Sequence, residues 1–430
     1  MTIDPGLTFY EATAERPACA PARGRSDTRV CILGGGLAGL STALGLAERG
    51  LCEVTVLESH RVGHGASGRN GGFVFGGYGL GNAELCDRLG AEEARRLYRL
   101  TTDAIELIRR RIARYRIDCD LVDEGVILAN WFADPSRLER PRRLMQEVYG
   151  VEWEPIPQRA LRDLLKTERY HGGLLERNAF HFHPLKYVAG VARALQGLGV
   201  RVHEQSAVLR IERRAGRFVV FTECGEVHAD HVVFAGGGYA RGVYRPVERS
   251  VMPIATYVVA TQPLGSRLQS AIACRSAVYD TRFAFDYYRP LADGRILWGG
   301  RISILDRAPQ AIARLLKQDL AHVYPQLADV EIEYAWGGLM SYARHQMAQI
   351  GRDERGVWYA VGFGGHGMAP TAVAGEALAD ALVHATQLPR GFGRFGLPRS
   401  YGVAGRVAAQ LTYTTLQWRD AFDARRLKGR

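Results

Sequence analysis

The first sixty residues alternate between short apolar runs and glycine-rich or polar stretches. Residues 30–33 form an apolar run with the length of a buried strand, and residues 54–57 form a second one. Between them, residues 40–49 keep the apolar spacing of a helix, which ends at Gly50. This order of strand, turn, helix and strand predicts a parallel β–α–β unit at the start of the chain.

Further along, the hydrophobic pattern predicts four more helices and a second sheet. Apolar residues recur with helical spacing over residues 91–116, 185–198, 311–322 and 370–384. Residues 251–300 alternate between apolar and polar positions, which is typical of an antiparallel sheet with one covered face. A further buried strand is predicted at 357–361. The pattern therefore predicts an α/β protein with a second, mostly antiparallel part.

A glycine motif lies between the first predicted strand and the first predicted helix. Gly34, Gly36 and Gly39 form G-x-G-x-x-G, and Glu58 follows the second strand. These glycines suit a tight turn, a close backbone approach to a pyrophosphate and close helix packing, while an acid at the second strand suits ribose hydroxyls. The combination predicts a dinucleotide site. The alternative is a glycine-rich packing turn with an unrelated surface glutamate, and the motif alone does not separate FAD from NAD.

Composition adds one anomaly, which is an excess of glycine. The chain has 50 glycines in 430 residues, whereas average usage would give roughly 30. Nine of them lie between residues 63 and 81, a density that excludes a regular element and predicts a functional loop. Together with 34–39, 236–238 and 362–367, this loop is expected to converge on one ligand.

Charge and cysteine usage narrow the class of protein. The net charge of +11 suits an acidic partner, but no RNA-binding motif accompanies it, so a nucleic-acid partner is not expected. The seven cysteines occur singly, which indicates reduced thiols and a cytoplasmic protein. No apolar run has the length of a membrane span. His181 and His183 share one predicted strand face, but no third ligand has useful spacing, so no metal site is predicted.

Several motifs together resemble the FAD-dependent oxidoreductases of the D-amino-acid oxidase (DAO) superfamily. They are the nucleotide fingerprint and the segments 10–14, 65–72, 183–187, 235–237 and 362–370. Within the superfamily, the sequence is most similar to the γ-glutamylputrescine oxidoreductase-like amine oxidases. The resemblance implies a Rossmann-like FAD-binding domain of the glutathione-reductase type, with a second α+β substrate domain on a mostly antiparallel sheet.

The pattern and the resemblance predict how the chain divides. Residues 28–120, 181–245 and 335–390 are expected to form a discontinuous FAD-binding domain. Residues 120–180 and 246–334 are expected to form the substrate domain. Residues 1–27 are predicted to be an extended leader, and residues 391–430 a tail packed on the FAD-binding domain.

The resemblance also implies which residues contact FAD. Val208 is expected to flank the adenine, 65–72 to follow the pyrophosphate and the isoalloxazine edge, and 364–368 to face the flavin pyrimidine. A helix beginning near Pro370 would direct its positive end at that ring. The predicted contacts are Gly34, Gly36, Leu37, Ala38, Gly39, Glu58, Ser59, Gly65, Ala66, Ser67, Arg69, Asn70, Gly71, Gly72, Val208, Ala235, Gly236, Gly364, Gly365, His366, Gly367 and Met368.

Four residues are predicted to line the substrate pocket or to act in catalysis. They are Tyr288, Arg301, Tyr342 and His366. Because side chains alternate along a strand, Tyr287 and Tyr288 face opposite ways. Similarity to sarcosine-oxidase-type sequences favours Tyr288 for the substrate side.

Departures from sarcosine-oxidase-type sequences affect the expected chemistry. Ala369 stands where those enzymes carry a carboxylate-binding lysine, and residues 337–345 contain no cysteine for a covalent flavin bond. Non-covalent FAD is therefore expected, with His64 a minority candidate for covalent attachment. Arg289 or Arg301 could bind a substrate carboxylate, so amino acids are not excluded as substrates. No lysine is evident for oxygen activation, and Arg295 is only a weak substitute for one.

The expected reaction is oxidation of an amine or amino-acid C–N bond to an imine by hydride transfer to flavin N5. Its partners are a small-molecule amine or amino acid and O₂, which is reduced to H₂O₂. One alternative is a dehydrogenase that passes electrons to a quinone or protein acceptor. Others are a flavin monooxygenase, for which no second nucleotide motif is present, and a flavoprotein acting on RNA.

Overall fold

The computed structural model describes residues 7–428, which form two eight-stranded sheets, a two-stranded pair and twelve α-helices. The strands are β1 (Gly24–Leu33), β2 (Val54–Leu57), β3 (Phe73–Val74), β4 (Val126–Ala129), β5 (Glu154–Ile156), β6 (Gly173–Glu176), β7 (Phe180–His181), β8 (Arg201–His203), β9 (Val208–Arg214), β10 (Arg217–Thr222), β11 (Gly225–Phe234), β12 (Val251–Thr261), β13 (Ala277–Asp280), β14 (Tyr287–Pro290), β15 (Ile296–Ser303), β16 (Ile332–Ala343), β17 (Gln349–Arg352) and β18 (Trp358–Val361). The helices are α1 (Phe9–Thr13), α2 (Leu37–Glu48), α3 (Asn82–Leu89), α4 (Ala91–Arg114), α5 (Ser136–Leu144), α6 (Gln158–Leu165), α7 (Pro184–Gly197), α8 (Arg245–Glu248), α9 (Pro309–Val323), α10 (Met368–His384), α11 (Arg390–Gly393) and α12 (Gly402–Lys428).

The first sheet is a mostly parallel layer. Its order is β17–β18–β11–β1–β2–β8, and β9 and β10 extend it from β11. The central strand β1 pairs in parallel with both β11 and β2. Val30, Ile32, Val54 and Val56 expose no surface, as expected for parallel strands covered on both faces. Helices α2, α4, α7 and α10 contact one another and contribute to the core against this sheet.

The second sheet is mostly antiparallel. Its order is β16–β12–β15–β14–β13–β4–β6–β5, and among the described strands of this sheet only β13 and β4 pair in parallel. Helix α9 covers one face through contacts with β12, β15 and β16. The core on that face contains Tyr288, Trp298 and Leu316, all without exposed surface. The predicted fold class, an α/β parallel sheet joined to a mostly antiparallel one, is confirmed.

The N-terminal segment is more ordered than the predicted extended leader. Thr8 and Glu11 cap α1 reciprocally, since the Thr8 hydroxyl accepts the Glu11 N–H and the Glu11 carboxylate accepts the Thr8 N–H. Tyr10 is fully buried and its hydroxyl donates to the Asn70 carbonyl at 2.8 Å. The leader therefore supports the glycine-rich loop 65–72, while residues 1–6 of the predicted leader lie outside the described residues.

The C-terminal tail and one strand depart from the predicted division of the chain. β16 belongs to the second sheet, although 335–390 was predicted to lie in the FAD-binding domain. Helix α11 packs beside α4 and β17, but α12 contacts β12 of the second sheet. The prediction that the tail packs on the FAD-binding domain is therefore wrong for α12, because its side chains hydrogen-bond to the second-sheet backbone: the Ile302 N–H donates to the Tyr413 hydroxyl at 3.0 Å. The division into domains otherwise stays a prediction.

The helices lie close to their predicted positions. The helix predicted at 91–116 is observed at Ala91–Arg114, and the one predicted at 185–198 at Pro184–Gly197. The helices predicted at 311–322 and 370–384 are observed at Pro309–Val323 and Met368–His384. Among residues 7–428, no helix combines the length and the hydropathy that a membrane span requires.

Candidate active site

A cleft of about 490 Å³ opens where the strands of the first sheet end. The residues that follow β1, β2, β11 and β18 all line it, because the carboxyl ends of parallel strands meet at one edge. The second sheet closes the opposite side with residues from β12, β14, β15 and β16. Its volume is in the range of small-molecule and cofactor sites.

The turn after β1 is shaped for close backbone approach. Gly34 has φ of +115°, and a Cβ there would lie 2.6 Å from the Ala235 carbonyl oxygen, so glycine is required. A Cβ at Gly39 would lie 2.0 Å from the Gly34 oxygen. Gly39 therefore serves helix packing and does not line the cleft. The Leu37 N–H at the start of α2 donates to the Ser67 hydroxyl at 2.9 Å, which joins this turn to the second glycine loop.

Glu58 stands at the end of β2 and lines the cleft. Its carboxylate accepts the Gly35 N–H at 2.7 Å and the His60 N–H at 2.9 Å. These bonds hold the acid beside the glycine turn and leave acceptor capacity on its two oxygens. This is the position that the dinucleotide fingerprint predicts for a ribose-binding acid.

The loop 65–72 is held by its own polar side chains. The Arg69 guanidinium donates to the carbonyls of His64 and Gly337, and the Asn70 amide donates to the carbonyls of Ala66 and Ser67. Arg69 and Asn70 border the cleft, but these side-chain atoms shape the loop. Gly72 serves packing, because a Cβ there would lie 2.0 Å from the Phe182 carbonyl oxygen.

The other end of the cleft is the turn before α10. Gly364 has φ of +61°, and a Cβ there would lie 3.1 Å from the Tyr342 ring. The Tyr342 ring therefore packs directly on the glycine backbone, and burial raises the pKa of its phenol. Burial also lowers the pKa of His366 to about 4, so this imidazole is neutral at pH 7. α10 begins at Met368, which lines the cleft, so its positive end opens onto the site.

Five aromatic side chains form a closed ring of contacts at this end of the cleft. Phe73 contacts Phe75 and Tyr287, with centroids 6.5 and 5.6 Å away. Phe75 stacks on Tyr279 at 5.5 Å, and Phe285 completes the ring by contacting Tyr279 at 6.0 Å and Tyr287 at 6.3 Å. The ring is joined to the α10 turn, because His366 lies 4.2 Å from Phe75. We call this set of five the aromatic ring.

The prediction that Tyr288 faces the substrate is wrong. Tyr288 has no exposed surface, stacks on Trp298 with ring centroids 4.4 Å apart, and shares a hydroxyl–hydroxyl hydrogen bond with Tyr324. It lies on the face that α9 covers. The alternation of faces was predicted correctly, but Tyr287 is the residue that lines the cleft. Gly299 makes room for it, because a Cβ there would lie 2.1 Å from the Tyr287 ring.

The two candidate carboxylate-binding arginines are both engaged internally. Arg289 is buried outside the cleft, where it donates to the carbonyls of Gly71 and Phe182. It therefore buttresses the glycine loop. Arg301 does line the cleft, but its guanidinium is paired in a bidentate geometry with the Asp319 carboxylate, at 2.8 and 2.6 Å. Arg295 does not line the cleft and pairs with Asp293 and Glu333.

The structure brings most of the predicted contacts together. Every predicted site residue lines the cleft except Gly39, Gly72 and Tyr288. Residues that sequence reasoning missed are Phe73, Phe75, Tyr279, Phe285 and Tyr287 of the aromatic ring, together with Tyr239, Arg241, Met340 and Tyr413. Phe73 and Phe75 had a usable signal, since they follow the predicted loop directly, whereas Tyr413 had none because it is far along the chain.

The described residues contain no His, Cys, Asp and Glu cluster arranged to hold a metal. His181 and His183 are buried, and burial lowers the pKa of each to about 3. The His181 ring contacts the Arg275 carbonyl at 2.8 Å, and His183 caps α7. Both histidines thus have structural partners.

The residues present fit FAD. Gly34, Gly36, Gly364 and Gly365 line the cleft without a side chain, and two helices, α2 and α10, begin at it. Helix N-termini suit a pyrophosphate and an electron-rich ring edge, and Glu58 suits ribose hydroxyls. Gly34, Gly36, Glu58, Val208 and the 364–368 turn would hold the cofactor.

Comparison with known proteins agrees with this geometry. The family model described as FAD dependent oxidoreductase (DAO) matches residues 29–381. γ-Glutamylputrescine oxidoreductase of Escherichia coli (strain K12) is 36% identical over 378 residues, covering 87% of this chain and 88% of that protein.

Two solved structures share the fold. Glycine oxidase from Geobacillus kaustophilus has a TM-score of 0.71 at 21% identity, covering 87% of this chain and 99% of that one. L-Amino acid deaminase from Proteus myxofaciens has a TM-score of 0.73 at 19% identity, covering 89% and 97%. The predicted family and the predicted cofactor are both confirmed. The chain therefore belongs to the DAO family of FAD-dependent oxidoreductases, and FAD is its cofactor.

Proposed function

We propose that this enzyme oxidises the C–N bond of an amine or amino acid to an imine, with O₂ as the electron acceptor. The observation that carries the proposal is the aromatic ring, which faces the glycine turn before α10. Aromatic side chains exclude water from the site, which favours the neutral form of a bound amine. The similarity to γ-glutamylputrescine oxidoreductase supports an amine substrate.

Amines without a carboxylate beside the reacting carbon are the preferred substrates in this proposal. Arg289 lies outside the cleft, and Arg301 already holds the Asp319 carboxylate. Opening the Arg301–Asp319 pair for a substrate carboxylate would leave Asp319, whose side chain is mostly buried, without its partner. Ala369, fully buried in α10, offers no cation.

The aromatic ring selects the neutral amine. Desolvation by Phe75, Tyr279 and Tyr287 lowers the pKa of a bound amine, so its proton returns to solvent on binding. The neutral nitrogen then has a free lone pair, which assists loss of a hydride equivalent from the adjacent carbon. Bound FAD supplies the two-electron acceptor for this step.

His366 contributes as a neutral group. Its Nε2 lies 3.4 Å from the Phe75 carbonyl oxygen, which assigns the proton to Nε2 and leaves Nδ1 as an acceptor. Since burial holds its pKa near 4, it adds no positive charge to the site at pH 7. The positive end of α10 would instead favour negative charge on the reduced cofactor.

The overall reaction balances without a further reactant. The amine loses two electrons and two protons to become the imine, and O₂ gains both to become H₂O₂. The imine leaves the cleft and is hydrolysed by water to a carbonyl compound and ammonia or a smaller amine.

An anaerobic titration tests the substrate half of the proposal. The purified holoenzyme is mixed with diamines, monoamines, N-methyl amino acids and glycine, and loss of visible flavin absorbance is followed. We expect bleaching by amines without an α-carboxylate, and at least tenfold slower bleaching by glycine. If no amine or amino acid bleaches the flavin, the proposed function is wrong.

The electron acceptor is tested separately with the same substrates. Under air, we expect one H₂O₂ formed for each amine consumed. If the reduced enzyme is reoxidised by a soluble quinone but not by O₂, the enzyme is a dehydrogenase and the O₂ half of the proposal is wrong.

A matched tyrosine pair locates the substrate. We expect Tyr287→Ala to lower kcat/KM for the best amine by tenfold or more, because it removes one member of the aromatic ring. Tyr288→Phe is the control, since it removes only a buried hydroxyl bonded to Tyr324. It should lower the free energy of unfolding by about 1 kcal/mol while leaving kcat/KM within about twofold. Equal kinetic effects of both variants would contradict the assignment.

A further inference from the structure

Helix α12 has an inner face that binds the rest of the protein. The Gln410 amide oxygen accepts the Ile304 N–H at 3.0 Å, and the buried Asp420 carboxylate accepts the Phe283 N–H at 2.7 Å. Tyr413, on the same face, is buried and lines the cleft. These anchors are spaced by three and by seven residues, which places them on one side of the helix and fixes which side faces outward.

The outer face of α12 is apolar and uncovered. Trp418 is 72% exposed and Phe422 is 65% exposed. The exposed apolar residues of the helix are Val403, Val407, Leu411, Trp418 and Phe422, and the exposed Tyr401 directly precedes it. From Val403 to Phe422 the row extends over roughly 29 Å of α12. A long apolar row on a surface marks an interaction site.

The charged groups on this face all have one sign. Arg419, Arg425 and Arg426 are exposed, and none of them takes part in an ion pair within residues 7–428. The two carboxylates of α12 are directed elsewhere, since Asp420 is buried and Asp423 pairs with Arg137 at 2.8 Å. The outer face therefore combines apolar side chains with arginines that no direct ion pair engages within the described part of the chain.

We propose that the outer face of α12 docks on an anionic lipid surface. Exposed Trp and Phe side chains enter a membrane interface, and exposed arginines beside them pair with anionic headgroups. Anionic headgroups would pair with the three guanidiniums, which the net charge of +11 reinforces. A second copy of the chain fits less well, because it would bring the same three arginines to the contact and no carboxylate from this face.

Docking would place the active site beside the lipid surface. Tyr413 lines the cleft from the inner side of α12, so one helix diameter, about 10 Å, separates the cleft from the docked face. This inference is independent of which amine the enzyme oxidises.

Vesicle flotation with the FAD-loaded enzyme tests the proposal. The probes are vesicles of phosphatidylcholine alone and of phosphatidylcholine mixed with phosphatidylglycerol. We expect binding to the mixed vesicles, at least tenfold weaker binding to phosphatidylcholine, and loss of binding at high salt. No binding to either vesicle would overturn the proposal.

Two triple variants that lose the same charge distinguish binding through α12 from attraction by the net charge of the whole protein. R419Q/R425Q/R426Q should weaken binding to the mixed vesicles by about a hundredfold, because each arginine near an anionic surface contributes about fivefold. R99Q/R110Q/R140Q removes three exposed arginines elsewhere and should change binding by less than about threefold. Equal losses would show attraction by net charge alone and overturn the assignment to α12.

Trp418 provides a spectroscopic readout that needs no activity. The other five tryptophans are buried, at 9% exposure or less. Mixed vesicles should therefore shift the fluorescence of the wild type to the blue, and Trp418→Phe should lose this shift while still floating with the vesicles. A wild type that binds without the shift would contradict docking through this face.

Light scattering in solution tests the alternative occupant. If the wild type is a dimer that W418S/F422S converts to a folded, FAD-bound monomer, and neither floats with vesicles, a second copy covers this face and the lipid proposal is wrong. A monomeric wild type that floats with mixed vesicles supports it.

Discussion

Glu176 is a buried carboxyl behind the aromatic ring. One of its oxygens accepts the Gly76 N–H at 3.2 Å, while the other has no hydrogen-bond partner among the described residues. Burial raises the pKa of Glu176 to about 7. At neutral pH the Glu176 carboxyl is therefore about half protonated in the folded protein, whereas it is ionised in the unfolded chain.

The pH dependence of stability follows from that difference. Between about pH 4.5 and 7 the folded state keeps a proton on Glu176 that the unfolded state has released, so stability falls as the pH rises through this window. The loss, complete above pH 7, is on the order of 3 kcal/mol. Glu176→Gln should remove it and raise the Tm at pH 8 relative to wild type. The control is Glu223→Gln, at an exposed position. If the difference in Tm between pH 5 and pH 8 is the same in Glu176→Gln as in the wild type, the assignment of this pH dependence to Glu176 is wrong.

At the scale of single elements, the glycine turn before α10 connects cofactor and substrate. Its backbone packs on Tyr342 from β16, and His366 at its end contacts Phe75 of the aromatic ring. The positive φ of Gly364 allows this path, and a side chain there would meet the Tyr342 ring. The turn is therefore sensitive to even one added methyl group.

We expect Gly364→Ala to weaken FAD binding and to lower kcat/KM, each by about tenfold, because strain at such a φ costs on the order of 1–3 kcal/mol. Gly197→Ala is the matched control. Gly197 lies in α7, and an added Cβ meets nothing within 4 Å. It should leave both constants unchanged and slightly raise the Tm. Unchanged FAD affinity in Gly364→Ala would contradict the role of the turn.

At the scale of the whole molecule, the cleft lies between the two sheets and is lined by both. Residues after β1, β2 and β11 form one wall, and residues of β14, β15 and β16 form the other. A ligand held by both walls binds the folded state alone. FAD should therefore stabilise the entire fold and not a single loop.

Removal of FAD tests this coupling together with non-covalent binding. Acid precipitation should release the yellow colour into the supernatant. The apoprotein should melt below the holoenzyme, and added FAD at about a hundredfold its Kd should restore about 2.7 kcal/mol. Colour that stays with the precipitated protein would mean a covalent bond, with His64 in the cleft wall as the first residue to examine.

The sequence by itself determined the features that local chemistry specifies. The β–α–β unit, its G-x-G-x-x-G turn, Glu58 and the helices at 91, 185 and 370 were predictable, because apolar spacing and glycine conformations act within a few residues. The resemblance carried by these motifs was enough to predict FAD and the family. The glycine excess likewise pointed to the loops that line the cleft.

Only the tertiary structure decided which side chains meet across the chain. Alternation placed Tyr287 and Tyr288 on opposite faces, but the packing of α9 determined which one was buried. Arg289 and Arg301 were both candidates for binding a substrate carboxylate. Only the folded chain shows that Arg289 donates to the Gly71 carbonyl and that Arg301 pairs with Asp319. The position of α12 likewise depends on contacts with residues more than a hundred positions away. Such choices depend on long-range packing and pairing, which the pattern of neighbouring residues does not contain.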